Sequence, residues 1–282
     1  MTSSSSEVPS RAELAWDEAA SGYDAYFGPR FAPYLAAAVG ALAGRSSELP
    51  SGCILVPCVG PGRELRPLAR AFGERQIVAS DLSGKMVSLA RERNRDLPNV
   101  SVERADAMQL STPDVAAVLS VFGLQLLPDP ALALGSWLKL LNLGGLAAVV
   151  YWPRDAEPSG PFFSMRRLLR RAGVLDGTWE NELLHEVTAS GARVLAELPL
   201  VFELKYDDSR TLWHALTQLG PLRGLAMARG PALIDELGRR RAAERSAQPH
   251  AGGAPAAARP ALGEEPPRSL GRRHLPPKAA PP

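Results

Sequence analysis

Three short stretches carry residues whose types and spacing could hold a ligand. In "ILVPCVGPGREL", residues 54–65, an apolar run ends in a bend built from Gly60, Pro61 and Gly62, then passes into the first turn of a helix. Two glycines directly after a buried strand let backbone come close to a bound group that side chains would hold off. The next apolar run, "QIVASD", ends in Asp81, nineteen residues after Gly62. A carboxylate at that place suits two ribose hydroxyls, each donating a hydrogen bond. A third run, in "VERADAMQL", ends in Asp106. Its carboxylate can accept from an exocyclic amino group, and the backbone after it can meet the edge of an adenine ring. One glycine pair is a weak signal; three strand ends, each with a suitable group, make a strong one.

Each residue also has a purely structural role open to it. The glycine pair could serve only a tight turn, Asp81 could cap the following helix, and Asp106 could start a turn. Tyr23, Tyr26, Phe27 and Phe31 fit the core of an N-terminal helical lid as well as they fit ligand contacts. His185 and His214 are ordinary surface or core candidates. Cys58 has only a nearby helix start to lower its pKa, and Arg166, Arg167, Arg170 and Arg171 read as a solvated helix face.

These groups need a scaffold, and the pattern between Cys53 and Trp152 supplies one. Short apolar runs alternate with helical stretches, which predicts βαβ units and a mostly parallel, doubly wound α/β sheet. Leu65, Leu68, Ala69 and Phe72 recur at helical spacing, as do Leu134, Trp137, Leu138 and Leu141, so each helix has an apolar stripe to lay on the sheet. Ser83 is placed to cap one helix, and Asp129 followed by Pro130 to start another. Gly144 and Gly145 read as the end of that last helix. Upstream, residues 11–45 read as two aromatic-rich helices joined at Gly28 and Pro29, forming a lid. Downstream, 158–191 and 209–238 read as helical, the latter broken at Gly220 and Pro221. "RVLAELPLVFELKYD" reads as a strand bent at Pro199.

Composition sets the remaining bounds. The 282 residues are 45% hydrophobic, enough for a sizeable core. The net charge of +2 is uneven: residues 239–282 carry nine Arg or Lys against three Glu, leaving 1–238 mildly acidic. The basic balance is therefore no sign of nucleic-acid binding. Residues 239–282 hold nine of 26 prolines and no aromatic residue, so this tail is expected to be disordered, as are residues 1–10. Cys53 and Cys58 face opposite sides of one strand, which argues against a disulfide and for a reducing compartment. No apolar run approaches the roughly 20 residues that span a bilayer, and the N-terminus has no signal-peptide core, so the expected location is cytoplasmic.

At these residues the sequence resembles the class I methyltransferases that use S-adenosyl-L-methionine, in the small-molecule branch similar to methyltransferase type 11. "AWDEAASGYDAYF", "ILVPCVGPGREL", "IVASDLSGKMVSLARER", "VERADAMQL", "VLSVFGLQLLPDP" and "LGGLAAVVYWPRD" stand in that family's order and spacing. The resemblance implies a Rossmann-like methyltransferase domain over residues 11–238: a lid, a cofactor-binding core at 53–152, and an insertion with C-terminal helices and a sixth strand at 153–238. It implies that Gly60 and Gly62 border the methionine half of the cofactor and that Asp81 binds the ribose. Leu82 and Met86 would pack on the adenine, with Asp106 and the backbone of Ala107 reading its edge. Ser120 would meet the methionine ammonium, and Tyr23 would close over the carboxylate.

Two positions depart from the family: Val56 stands where an acid helps hold the ammonium, and Cys58 where a glycine is usual. The family's final antiparallel strand is expected to be absent, because the tail has prolines where ladder donors are needed. The expected reaction is methyl transfer to a small molecule, with no nucleic-acid or membrane partner, no metal and no dedicated acid or base. The acceptor would lie near Gln125, Trp152, Phe162 and Phe163. A non-catalytic binding module on the same fold is the alternative. A nicotinamide-dependent dehydrogenase is disfavoured because its third glycine falls at Leu65.

Overall fold

The computed structural model describes residues 9–153, 161–171 and 179–247. The expectations for residues 1–8, for 248–282 and for the Phe162 side chain lie outside these described residues. The alternation between Cys53 and Trp152 builds five strands: β1 (Cys53–Pro57), β2 (Ile77–Asp81), β3 (Val100–Arg104), β4 (Val115–Val121) and β5 (Leu141–Val150). They form one sheet in the order β3-β2-β1-β4-β5, and every pairing is parallel. The chain winds outward from β1 to β3 and then returns to lay β4 on the other side of β1. The C-terminal end of β1 is therefore the point where winding reverses and the loops diverge, leaving a crevice. The "CVGPG" bend sits there.

β1 is buried along its whole length and β4 along all but its last residue, as expected of central strands covered on both faces. One face packs Ile54, Val56, Ile77, Ala79 and Leu119 against three helices: α1 (Arg11–Ala43), α2 (Leu65–Phe72) and α3 (Gly84–Arg93). The other packs Leu55, Val115 and Val118 against Leu134 and the fully buried Trp137 of α4 (Pro130–Leu140). The cap residues behave as their types require. Ser83 Oγ accepts from the Met86 N–H at 3.1 Å, and an Asp129 carboxylate oxygen accepts from the Leu132 N–H at 3.0 Å, with Pro130 opening α4.

The structure corrects the sequence reading in several places. The lid is one 33-residue helix, α1, continuing through Gly28, Pro29 and Pro33 rather than breaking there. Each proline removes one helical donor. Burial of Phe27, Phe31, Tyr34, Ala38, Val39 and Leu42 along one side holds the helix together, and Arg30 Nη1 donates to the Tyr26 carbonyl at 2.7 Å. Gly144 and Gly145 do not end α4, which stops at Leu140. They lie in a bulge of β5, where the register jumps from Leu141 opposite Val115 to Leu146 opposite Ala117.

The expected sixth strand does not form: residues 192–206 have no strand assignment, and no strand follows β5 among the described residues. The alternating pattern is nevertheless used. Leu200, Phe202, Leu204 and Tyr206 pack on the aromatic cluster of Phe27, Phe31, Tyr34 and Phe122, while Leu198 and Val201 face solvent. Arg30 Nε donates to the Lys205 carbonyl, fastening this extended segment to α1 instead of to a sheet edge.

The remaining helices are α5 (Pro161–Arg171), α6 (Leu183–Ala189), α7 (Ser209–Leu216), α8 (Gly220–Arg229) and α9 (Pro231–Ala247). Residues 239–247, expected to be disordered, are helical. α9 carries helix through 239–247, because Arg, Ala and Glu are good helix formers and the first proline comes at Pro249.

Candidate functional site

The site is assembled from the ends of β1, β2 and β4 under α1. The bend after β1 has Cys58 at φ 55°, Gly60 at 53° and Gly62 at 69°, three left-handed residues alternating with Val59 and Pro61 that turn the chain sharply into α2. The two glycines serve different ends. A Cβ on Gly60 would meet nothing within 4 Å, so its backbone faces open space. A Cβ on Gly62 would stand 2.7 Å from the Ala90 Cβ, so that glycine exists to let α3 approach. Asn94 Nδ2 reinforces the approach by donating to the Gly62 carbonyl at 3.0 Å. Gly62 thus faces α3, whereas Gly60 faces the crevice. Cys58 explains why glycine is the easier residue at its position, since an L side chain in left-handed backbone costs about 1–2 kcal/mol.

Asp81, at the end of β2, holds the bend. Its Oδ2 accepts from the Gly60 N–H at 2.8 Å and its Oδ1 from the Ser83 N–H at 3.0 Å. The side chain therefore does cap-like work at the crevice, with a further, weaker contribution from the Leu82 N–H. Burial pushes its carboxyl up from the ordinary range, an effect the Ser83 and Gly60 N–H groups oppose. Leu82 is half-buried and Met86 is buried beside it.

Asp106 lies two residues beyond the end of β3, with Oδ1 accepting from the Met108 N–H at 2.9 Å in a local turn. Ala107 is buried, and its carbonyl accepts from Trp137 Nε1 at 2.8 Å, which fixes the loop from below. Asp106 and Asp81 both act on the Cys58 thiol, and burial together with these two carboxylates pushes its pKa well above the ordinary range. A neutral thiol is a poor nucleophile. Ser120 is fully buried with no partner for its Oγ among the described residues, and a Cβ on Gly123 would stand 3.1 Å from that Oγ.

α1 covers this turn. Tyr23 stacks edge-on against Trp16 with ring centroids 5.7 Å apart, and the neighbouring Phe27 is core. Burial, then the charges of Glu64, Asp81 and Asp24, raise the Tyr23 hydroxyl, keeping it a neutral donor. Sequence reasoning missed the groups that fasten α1. Asp24 Oδ1 accepts from Arg63 Nε at 2.7 Å and Asp24 Oδ2 from Arg93 Nη2 at 2.6 Å. Arg93 also donates to the Pro61 carbonyl. Asp17 accepts from the Ser83 hydroxyl and from the Lys85 N–H, tying the start of α1 to the start of α3.

Glu64 was also missed. An acid just before a helix reads as a dipole-favoured first-turn residue, yet Glu64 makes no side-chain cap bond and is buried. The dehydrogenase alternative loses further ground, because Leu65, at the third-glycine position, is fully buried in the core. Among the acceptor-side candidates, Trp152 packs against Phe122 and Phe31, Gln125 is half-buried, and Phe163 is 39% exposed.

The residues present fit an adenosyl group: a left-handed glycine open to the crevice, a buried acceptor at the β2 end, and apolar Leu82 and Met86 beside it. Residues 54–145 match a family model described as a methyltransferase domain. Among curated proteins, the chain is similar to the demethylmenaquinone methyltransferase of Staphylococcus carnosus, with 28% identity over 109 residues, 38% of this chain and 44% of that one. It is also similar to the trans-aconitate 2-methyltransferase of Methylobacterium radiotolerans, with 30% identity over 176 residues, 59% and 63% of the two chains. The chain thus spans less than two thirds of either relative. Among solved structures, the cyclase SpnF aligns at 20% identity and a TM-score of 0.45, over 72% of this chain and 75% of that one. Residues 54–145 are thus a methyltransferase domain.

Proposed function

We propose that the chain binds S-adenosylmethionine in the crevice over Gly60 and transfers its methyl group to a small-molecule acceptor. The observation that carries this reading is Asp81: a buried carboxylate at the end of β2, held by the Gly60 and Ser83 N–H groups at the switch point of the sheet. In this reading its carboxylate accepts from the ribose hydroxyls, Leu82 and Met86 line the adenine, and Asp106 with Ala107 meets the ring edge. Gly60 leaves room for the methionine half, Ser120 lies beneath it, and Tyr23 donates from the lid. Gly62 contributes by packing α3 and not by contact.

When bound, the cofactor supplies an electrophilic methyl group on its sulfonium. The share of the protein is to fix that group and the acceptor at near-attack distance and to exclude water, for which the aromatic cluster under α1 is suited. A small organic acceptor is supported by the names of the two curated relatives, which refer to demethylmenaquinone and trans-aconitate.

The test is calorimetric titration with S-adenosylmethionine, its demethylated product and NADH, together with a labelled-methyl assay on a metabolite extract. The expected outcome is saturable binding of donor and product, none of NADH, and a label on one extracted compound. Binding without any labelled compound would favour a ligand-binding module, and absence of donor binding would overturn the reading.

A further inference from the structure

One carboxylate beside the glycine turn takes no part in the donor contacts described above. Glu64 is 4% exposed and stands before α2 without capping it. Its carboxylate reaches no other described residue through an ion pair or hydrogen bond, only its own backbone N–H. The guanidinium groups that could neutralise it are already engaged, Arg63 and Arg93 both by Asp24, and Arg93 also by the Pro61 carbonyl. Of the charges that act on Glu64, the Asp81 carboxylate from β2 outweighs the Arg93 guanidinium, and Glu64 in turn acts on the Tyr23 hydroxyl from α1. Asp81 in turn accepts from the Gly60 N–H, so this acidic cluster adjoins the open space over that glycine. A carboxylate buried next to another, with the nearest guanidinium groups paired to Asp24 and Arg93 offsetting it only in part, is unfavourable in the empty site. It becomes favourable once a ligand delivers a positive charge.

We propose that Glu64 is the counter-ion for a cationic group of the bound methyl donor and selects for ligands that carry one; the proposal rests on the reading that this crevice takes S-adenosylmethionine. The donor has two such groups, the ammonium of its amino-acid end and the sulfonium. Burial pushes the Glu64 carboxyl up to about 7, and Asp81 adds to the shift while Arg93 opposes it. At pH 6 the empty site therefore holds a proton that a cationic ligand must displace.

Calorimetry on the wild type and Glu64→Gln separates the possibilities with three probes: S-adenosylmethionine with both cations, S-adenosylhomocysteine with the ammonium alone, and 5′-methylthioadenosine with neither. The expected result is that the variant loses about 10- to 100-fold in affinity for S-adenosylmethionine, the equivalent of one charged hydrogen bond, and nothing for methylthioadenosine. An equal loss for S-adenosylhomocysteine identifies the ammonium as the partner, and no loss there identifies the sulfonium. A uniform loss for all three probes, or no loss for any, overturns the proposal while leaving the donor site standing. Failure of the wild type to bind any of the three overturns both.

A second measurement needs no variant. With Tyr23, Asp81 and Arg93 acting on Glu64 from α1, β2 and α3, S-adenosylmethionine binding at pH 6 should release close to one proton, read from binding enthalpies in two buffers of different ionisation heat. Binding without proton release overturns the proposal.

Discussion

Replacing Glu64 by Gln should make the ligand-free protein more stable at pH 8 while changing little at pH 4. The carboxyl is buried, so solvent screens its environment weakly, and its pKa rises from 4.5 to about 7 on folding. The folded state therefore keeps a proton, between these values, that the unfolded state has already lost. Stability from this group is fully present below pH 4.5 and is lost as pH rises through 7. A shift of this size corresponds to about 3 kcal/mol, at 1.36 kcal/mol per pH unit. Glutamine keeps the shape and cannot ionise, so it escapes that loss. Asp81 is shifted in the same direction but is common to both proteins, so it largely cancels in the difference. Urea denaturation of both proteins at pH 4, 5, 6, 7 and 8 gives the difference directly. It should grow in favour of the variant across the window and level off above pH 7. A difference that does not change with pH, or a variant that loses ground as pH rises, would refute the reasoning.

Two further outcomes follow from the same cluster. Asp81→Ala should weaken S-adenosylmethionine binding by about 10- to 100-fold and also cost about 1–3 kcal/mol of stability, because the Gly60 and Ser83 N–H groups lose their acceptor; unchanged affinity by calorimetry would remove Asp81 from the site. Val56→Asp, which would restore the family's acid, should instead destabilise by about 3 kcal/mol or more, because Val56 is fully buried among Ile54, Ala79 and Leu119. Tighter binding of S-adenosylhomocysteine at unchanged stability would contradict this.

Much of the fold could be read directly from the chain, because the signals concerned are local. The alternation of apolar runs with helical stripes predicts the five parallel strands, and Ser83 and Asp129 mark helix starts through bonds to residues three positions away. Of the candidate site, the chain order shows Gly60 and Asp81 following two successive apolar runs, and the tertiary structure joins them by one hydrogen bond.

What the pattern left open were questions of partner. Residues 200–206 alternate like a strand, yet a strand exists only where another edge offers a ladder, and here the aromatic residues of α1 take the apolar side chains instead. Gly28 and Pro29 look like a helix end, but burial along one side carries α1 through them. Glu64 looks like a helix-start acid. Its isolation depends on Asp24, 39 residues before Arg63 and 69 before Arg93, having drawn off both arginines. Turns, caps and periodicity belong to a few consecutive residues and are written in their order. Which strand is paired and which charge is left alone depend on groups distant in the chain competing for the same contact, and only the folded arrangement decides between them.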